Sequence, residues 1–364
     1  MLKNKTVAVV VPAYNEETQI GRVIETMPDF VDRIVIVNDC SKDRTAEIVR
    51  NYINSELNHT DLEIKIEKVE KGFYNHAEIV EQQINTDEMR FYTPSEVFNA
   101  KGNKDRIILI NNLQNSGVGG SIARGYKWCK DNRIDCTAVM AGDAQMDPSE
   151  LDAICKPVIE NGIDYVKGNR LIHRSAWLVV PKIRYFGNSI LSILTKVASG
   201  YWKISDTQTG YTSISLAALK AIRIHKIYRN YGMPNDILVK LNIAMCSIKE
   251  IEIKPVYDVG EKSKIKLVKV IPKISFLLFR SFFKRLWIKY LFRDFHPLFI
   301  LYHFAIFLFI VWLPYLYKIS IKISEGANVS FETLFAFTFL GITSFQSFLF
   351  AMWMDIQDNE RLYK

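Results

Sequence analysis

The chain has 364 residues, 49% of them hydrophobic and 24% charged, with a formal net charge of +8. That length accommodates one large domain with an appendage, or two domains. The five cysteines (Cys40, Cys129, Cys136, Cys155 and Cys246) are odd in number and form no CxxC pair. This excludes a disulfide framework and a zinc site, and fits a reducing cytoplasm.

From the N-terminus, the apolar run Val7–Val11 is too short and too early for a signal peptide, so the N-terminal part is expected to stay cytosolic. Thr6–Pro12 reads as a strand, and Ala13-Tyr14-Asn15-Glu16-Glu17 opens a helical pattern through Met27. Arg33–Asn38 is a second strand. It leads through Asp39-Cys40-Ser41-Lys42-Asp43-Arg44-Thr45 into a helix over Ala46–Tyr52. Residues 54–105 are rich in charge, with little periodicity beyond a candidate strand at Leu62–Val69, and read as a surface insertion. Arg106–Asn111 and Thr137–Met140 are further strands, separated by a helix over Gly120–Asp131.

Alternating strands and helices predict a mostly parallel α/β sheet with helices on both faces, whose ligands sit beyond the carboxyl ends of the strands. Three polar turns, at Asn15, Asp39 and Asp143, fall at those ends. Capping of the following helices also places Asn and Asp at such positions. The third turn, Gly142-Asp143-Ala144-Gln145-Met146-Asp147-Pro148, offers carboxylates and an amide to a hard divalent ion that also holds phosphates.

The C-terminal part differs in kind. Between Lys262 and Arg293 stand ten cations and no acidic residue until Asp294, more positive charge than the whole chain carries net. The basic character is therefore local, which argues against a nucleic-acid surface and for a collar at a membrane. Ile271, Ile274, Leu277, Leu278, Phe282, Leu286 and Trp287 recur at helical spacing, the pattern of amphipathic helices in a headgroup layer. Pro297–Tyr317 and Thr333–Met354 contain no Asp, Glu, Lys or Arg, and each is long enough to cross a bilayer. Trp312, Tyr315, Tyr317 and Trp353 lie towards their ends, as interfacial aromatics do. The positive collar places the large domain on the cytoplasmic face, with Lys318–Glu332 outside and Asp355–Lys364 returning inside. The domain boundaries so read are 1–260, 261–296, 297–354 and 355–364.

Four motifs, in order, carry a resemblance. They are Val10-Val11-Pro12-Ala13-Tyr14-Asn15-Glu16, Val37-Asn38-Asp39-Cys40-Ser41-Lys42-Asp43-Arg44-Thr45, Asn115-Ser116-Gly117-Val118-Gly119-Gly120 and Gly142–Pro148. The chain resembles family 2 glycosyltransferases, in their membrane-associated branch of polyprenyl-phosphate transferases similar to dolichol-phosphate mannose synthase. The resemblance covers about Thr6 to Lys266, excluding the insertion. It implies a GT-A fold, a UDP- or GDP-sugar donor, Mg²⁺ or Mn²⁺, and inverting transfer of one sugar to a polyprenyl phosphate such as undecaprenyl or dolichyl phosphate.

By the same resemblance Pro12, Tyr14, Glu16 and Asp39 contact the nucleotide, Gly117 and Gly119 suit close approach of amides to a phosphate or sugar, and Asp143 with Gln145 holds the ion. Ala141 stands where the family often has the first Asp of Asp-x-Asp, which leaves the ion one carboxylate short. Gly168-Asn169-Arg170 makes Arg170 a phosphate ligand, and Ser205–Gly210 matches an acceptor-side turn. Glu261-Lys262-Ser263-Lys264 resembles the family's element that meets phosphates near the membrane. An anionic lipid phosphate needs no proton removed, whereas a sugar hydroxyl needs a base, for which Asp206 or Asp236 is the candidate. A transferase that extends a lipid-linked saccharide, and a membrane-tethered nucleotide-binding module, are the alternatives. The absence of a Gln-x-x-Arg-Trp element favours single transfer, and a homo-oligomer is allowed.

Overall fold

The computed structural model describes residues 1–55, 58, 72–99, 104–180, 182–256 and 267–364. In chain order the first half comprises β1 (Val7–Ala13), α1 (Ile20–Glu25), β2 (Arg33–Asn38), α2 (Thr45–Ile53), α3 (His76–Asp87), β3 (Ser95–Val97), β4 (Ile107–Asn112), α4 (Val118–Asp131) and β5 (Cys136–Val139). It continues with α5 (Leu151–Asn161), β6 (Tyr165–Asn169), α6 (Ala176–Val179), α7 (Lys182–Ser199), β7 (Thr212–Ser215), α8 (Leu216–Ala221), α9 (Met233–Ile243) and β8 (Ile248–Glu252). Three long helices close the chain: α10 (Leu267–Trp287), α11 (Leu298–Ser324) and α12 (Phe331–Glu360).

The eight strands form one sheet in the order β3-β4-β2-β1-β5-β7-β6-β8. β1, β2, β4 and β5 run parallel, and β3 and β7 are antiparallel to their neighbours. Because β7 is antiparallel to both β5 and β6, the carboxyl ends of β6 and β8 return to the edge where β1, β2, β4 and β5 end. This topology is the α/β, GT-A arrangement expected.

β1 and β2 read as unbroken apolar runs because both sheet faces are covered. Val10, Val35 and Ile108 pack with Ile122 and Tyr126 of α4 on one face. Val9, Ile34 and Leu109 pack with Ile20 and Val23 of α1 and Ile154 of α5 on the other.

Three expectations are corrected. The first helix begins only at Ile20, because residues 13–17 are drawn into contacts with the second turn. The segment read as a surface insertion of little periodicity carries α3 and adds β3 antiparallel to β4 at the sheet edge; its candidate strand at Leu62–Val69 lies outside the described residues. The segment read as a tail from Asp355 continues α12 as far as Glu360 and then packs beside the sheet. Ile248 N donates to Leu362 O at 2.7 Å, Tyr363 bridges beside β8, and Leu362 is buried in the core.

The most apolar stretches of α11 and α12 have mean hydropathies of 2.1 and 1.6, and only 22% and 17% of those stretches is buried, so both helices meet the length and composition needed to cross a membrane. They pair through Trp312 Nε1 donating to Phe337 O at 3.0 Å and Ser344 Oγ donating to Ala305 O at 2.9 Å.

The collar helix is only partly what its charges suggest. Ile274, Leu278 and Leu286 of α10 are buried against protein, and so are the cations Arg285 and Lys289, while Phe276 and Phe279 are exposed. A headgroup-facing cation would be solvated; these two face carboxylates of α12 instead.

Candidate active site

The first two turns are zipped together. Asn15 N donates to Ser41 Oγ at 3.0 Å, Lys42 N to Asn15 Oδ1 at 2.9 Å, and Glu16 N to Thr45 Oγ1 at 2.9 Å. Neither Asn15 nor Asp39 caps a helix, since α1 and α2 start after Gln19 and Arg44 without side-chain caps. Asn15 (φ 57°), Cys40 (φ 61°) and Ala144 (φ 57°) adopt the left-handed conformation, one at each of the three strand ends. Such a conformation costs on the order of 1 kcal/mol for a non-glycine residue and is retained where surrounding contacts enforce it. Tyr14 and Pro12 lie at this edge, with Tyr14 exposed.

Asp39 is almost fully buried. Its Oδ1 accepts from Ser116 N (2.7 Å), Ser116 Oγ (2.8 Å) and Asn112 Nδ2 (2.9 Å), and its Oδ2 from Gly117 N (2.9 Å). The carboxylate thus pins the Asn115–Gly117 loop, with acceptor capacity left on Oδ2 for a ligand.

The glycines of that loop serve a purpose different from the expected one. Gly117 has φ +75°, and a Cβ there would lie 2.5 Å from Arg229 O; at Gly119 it would lie 2.0 Å from Tyr228 O. Gly119 N donates to Arg229 O at 2.8 Å. The amides of Gly117 and Gly119 are therefore spent within the protein rather than offered to a phosphate. Asp236 completes this assembly: its Oδ2 accepts from Tyr228 N at 2.8 Å and pairs with Lys240. It is placed as the anchor of the 228–230 loop, not as a base.

At the third turn, Gly142 N donates to Pro12 O at 3.3 Å, which joins the ends of β1 and β5. Asp143 Oδ1 accepts from Gln145 N at 3.1 Å. Asp147 caps the next turn through Ser149 N at 2.9 Å and lies 3.7 Å from Lys254. Burial opposes ionisation of Asp147, but the hydrogen bonds from Ser149 and the charge of Lys254 hold its carboxyl below the usual range. Among the described residues no group of three or more His, Cys, Asp or Glu converges as a ready-made metal cage. The donor set at the turn is one hard carboxylate, Asp143, and one amide, Gln145. That chemistry fits Mg²⁺ or Mn²⁺, which bind through one or two carboxylates and take their remaining ligands from water and substrate phosphates.

Arg170 follows β6 and points at Asp206. Its Nε donates to Asp206 Oδ2 at 2.9 Å and its Nη2 to Oδ1 at 3.2 Å, while Gln208 N and Thr209 N add to Oδ1 at 3.3 and 3.2 Å. Asp206 is fully buried; burial resists its charge, yet Arg170 overrides this and holds its carboxyl below the usual range. As a general base it is mis-placed: its oxygens are committed, so it positions Arg170 instead.

Beneath lies a layer the sequence reasoning missed. Lys167 is fully buried, its Nζ donates to Thr209 O, and burial pulls it down to about 8 against the attraction of Asp206 and Glu250. Glu250 accepts from Asn169 Nδ2 (2.9 Å), Ser205 N (2.8 Å) and Asp206 N (3.0 Å), and burial raises its carboxyl. A lysine inside the buried strand Tyr165-Val166-Lys167 was the available signal. The 141–147 and 206–211 turns touch, as Tyr211 Oη donates to Asp147 O at 2.9 Å. Lys262, Ser263 and Lys264 lie outside the described residues.

An α/β sheet with its polar turns gathered at one edge defines a ligand site of the nucleotide-binding kind. The family model described as "Glycosyl transferase family 2" matches residues 8–76 and 90–223, and the chain belongs to that family; it is a glycosyltransferase. The break in the match falls on α3 and the turn after it.

A UDP-N-acetylglucosamine–dolichyl-phosphate N-acetylglucosaminyltransferase of Methanococcus voltae is 25% identical over 257 residues, 70% of this chain and 88% of that protein. A dolichyl-phosphate beta-glucosyltransferase of Trichomonas vaginalis is 23% identical over 299 residues, 77% of this chain and 74% of that protein. Among solved structures, glucosyl-3-phosphoglycerate synthase from Mycobacterium tuberculosis, crystallised with Mn²⁺, UDP and glucosyl-3-phosphoglycerate, aligns with a TM-score of 0.46 at 14% identity, covering 78% of this chain and 80% of that one.

Proposed function

We propose that the protein transfers one sugar, with inversion, from a UDP- or GDP-sugar to a polyprenyl phosphate at the cytoplasmic face of a membrane. The observation that carries this reading is the state of the two carboxylates expected to act as bases. Asp206 is bound by Arg170 and Asp236 by Tyr228 N and Lys240, so neither is available to deprotonate a hydroxyl. A lipid phosphate is already anionic and needs only positioning and charge neutralisation. The relatives named for dolichyl-phosphate transfer support the same acceptor.

In this mechanism Tyr14, Glu16, Pro12 and the remaining acceptor capacity of Asp39 receive the nucleoside, on turns held rigid by the bonds between them. Asp143 and Gln145 would hold the divalent ion, which neutralises charge developing on the diphosphate. Arg170, held flat by Asp206, presents a guanidinium to the acceptor phosphate, and Lys262, Ser263 and Lys264 add to it. A phosphate oxygen forms a bond to the anomeric carbon on the face opposite the leaving diphosphate. The bond from that carbon to the diphosphate breaks, and the nucleoside diphosphate leaves with the electron pair.

Exposed Leu178, Ile193, Phe276, Phe279 and Phe292 favour docking of the acceptor side onto a bilayer. With Ala141 in place of a second carboxylate, the ion should bind appreciably only together with the donor; tight Mn²⁺ binding to nucleotide-free protein would contradict that. The test is incubation of membranes holding the protein with labelled UDP- and GDP-sugars and polyprenyl phosphate. A labelled lipid-phosphate sugar is expected. Elongated glycolipid, or donor binding without product, would overturn the reading.

A further inference from the structure

The last helix, α12, ends against the α/β domain, and its final turns carry the carboxylate and the amide that meet the buried cations Arg285 and Lys289. Arg285 of α10 is fully buried and donates bidentately to Asp355, Nη1 to Oδ1 and Nη2 to Oδ2, each at 2.7 Å. The same guanidinium reaches the C-terminal carbonyls of α7, through Nε to Ala198 O at 3.0 Å and Nη2 to Val197 O at 3.1 Å. Asn359, one turn beyond Asp355, accepts from Lys289 Nζ at 2.6 Å and from Asn242 Nδ2 of α9 at 2.7 Å. A Cβ on Gly200, whose φ is +77°, would lie 2.4 Å from Arg285 Nη1, so the bare glycine leaves room for this guanidinium.

From α7 and α9 the polar contacts continue to the proposed acceptor side. Ser192 Oγ of α7 lies 3.0 Å from Thr207 Oγ1. Thr195 Oγ1 donates to Asn235 Oδ1 of α9 at 3.1 Å, and Gln208 Nε2 donates to that same oxygen at 2.8 Å. Thr207 and Gln208 belong to the turn whose Asp206 holds Arg170. Groups fixed in this way have discrete arrangements, so losing one anchor shifts the others rather than softening them.

We propose that residues 355–359 form a latch, and that Asp355 and Asn359 are positioning residues that set the acceptor side of the site through α7 and α9. The donor side is held chiefly by Asp39 and the first two turns, and among the described residues it meets α9 through Asp236, which anchors the 228–230 loop beside Gly117 and Gly119. The proposal rests on the reading that Arg170 faces the acceptor phosphate. It also accounts for α10 keeping buried cations next to exposed aromatics: the cations face the latch, the aromatics the bilayer.

The test uses the full chain in lipid nanodiscs and two variants, D355N and the paired R285M/D355L. The pair leaves no uncompensated buried charge and so preserves folding where D355N does not. Nucleotide affinity, read by UDP and GDP titration, is expected to stay within about 2-fold of wild type, while KM for polyprenyl phosphate rises about 10-fold. A folded pair variant with wild-type acceptor KM overturns the latch, as does a parallel loss of nucleotide affinity. If the wild-type chain uses a different acceptor, the proposed function fails while the split between donor affinity and acceptor KM still reads the latch.

Discussion

The two halves of the catalytic edge are held by different means. Around β1, β2, β4 and β5, backbone turns bind one another: Asn15 to Ser41 and Lys42, Asp39 to Ser116 and Gly117. Around β6, β7 and β8, buried charges do the work, with Arg170 on Asp206, Glu250 under both, and Arg285 on Asp355 from 70 residues away. A turn network is rigid in itself, and its geometry travels with a short stretch of sequence. A buried charge network is only as well placed as the helices that bring its members together, which couples it to the membrane-directed segments. On the proposed function, a rigid donor side and an acceptor side tied to α10 and α12 would suit substrates that arrive from water and from a bilayer.

The largest break in this comparison is expected from Asp143→Ala. It removes the carboxylate proposed to hold the ion, and transfer should fall on the order of 10²-fold or more, measured as labelled lipid product. The protein should still partition into membranes, because the substitution leaves α10–α12 unaltered. Next comes Asp206→Asn on the other half. The Arg170 guanidinium and the backbone amides of Arg170, Gln208 and Thr209 lose a charged acceptor, and stability should drop on the order of 3 kcal/mol in denaturant unfolding. Acceptor KM should rise with it while donor affinity holds.

Legibility followed the same division. The turn motifs at Asn15, Asp39 and Asp143 were readable because each is contiguous and ends a strand whose apolar run marks it. Their reach was less readable: that Asp39 grips Ser116, or that Gly119 is a glycine because Tyr228 O passes beside it, depends on a packing no local pattern records. On the charged half, Asp206 and Asp236 looked like bases because sequence shows a carboxylate and not what neutralises it. The collar misled for a related reason. Arg285 and Lys289 are indistinguishable in sequence from the solvated Lys284, and only their partners on α12 separate them.

A smaller effect should come from Gly119→Ala, which tests whether the donor side is as rigid as its hydrogen bonds imply. The added methyl meets a backbone carbonyl, not the end of a flexible side chain, so the 228–230 loop must move. Overpacking of this kind costs roughly 2 kcal/mol. Donor KM is expected to rise, and crystallographic or exchange measurements should place the change at residues 117–119 and 228–230. A variant with unchanged donor KM would show the loop to be yielding, and the contrast between the halves would lose its sharper side.

The smallest expected effect is a pH dependence confined to the charged half. Burial holds Lys167 at about 8, against 10.5 for an exposed lysine. Between those values the unfolded chain keeps the proton that the folded chain has released, so the unfolded state binds more protons and stability rises with pH. Below about 8 both states are protonated, and folding carries the full cost of burying the charge beside Asp206 and Glu250. Lys289, also held at about 8 by burial, contributes in the same direction, while the buried thiols of Cys129 and Cys246, pushed up to about 12, act oppositely above about 9, so the share of Lys167 is read as the difference between wild type and variant. Unfolding followed from pH 7 to 10.5 in wild type and Lys167→Met separates them, because the variant should lose part of the rise and keep the part owed to Lys289. A variant with the wild-type slope would mean that Asp206 and Glu250 compensate Lys167 fully, so that this half of the site carries no electrostatic strain and its precision comes from packing alone.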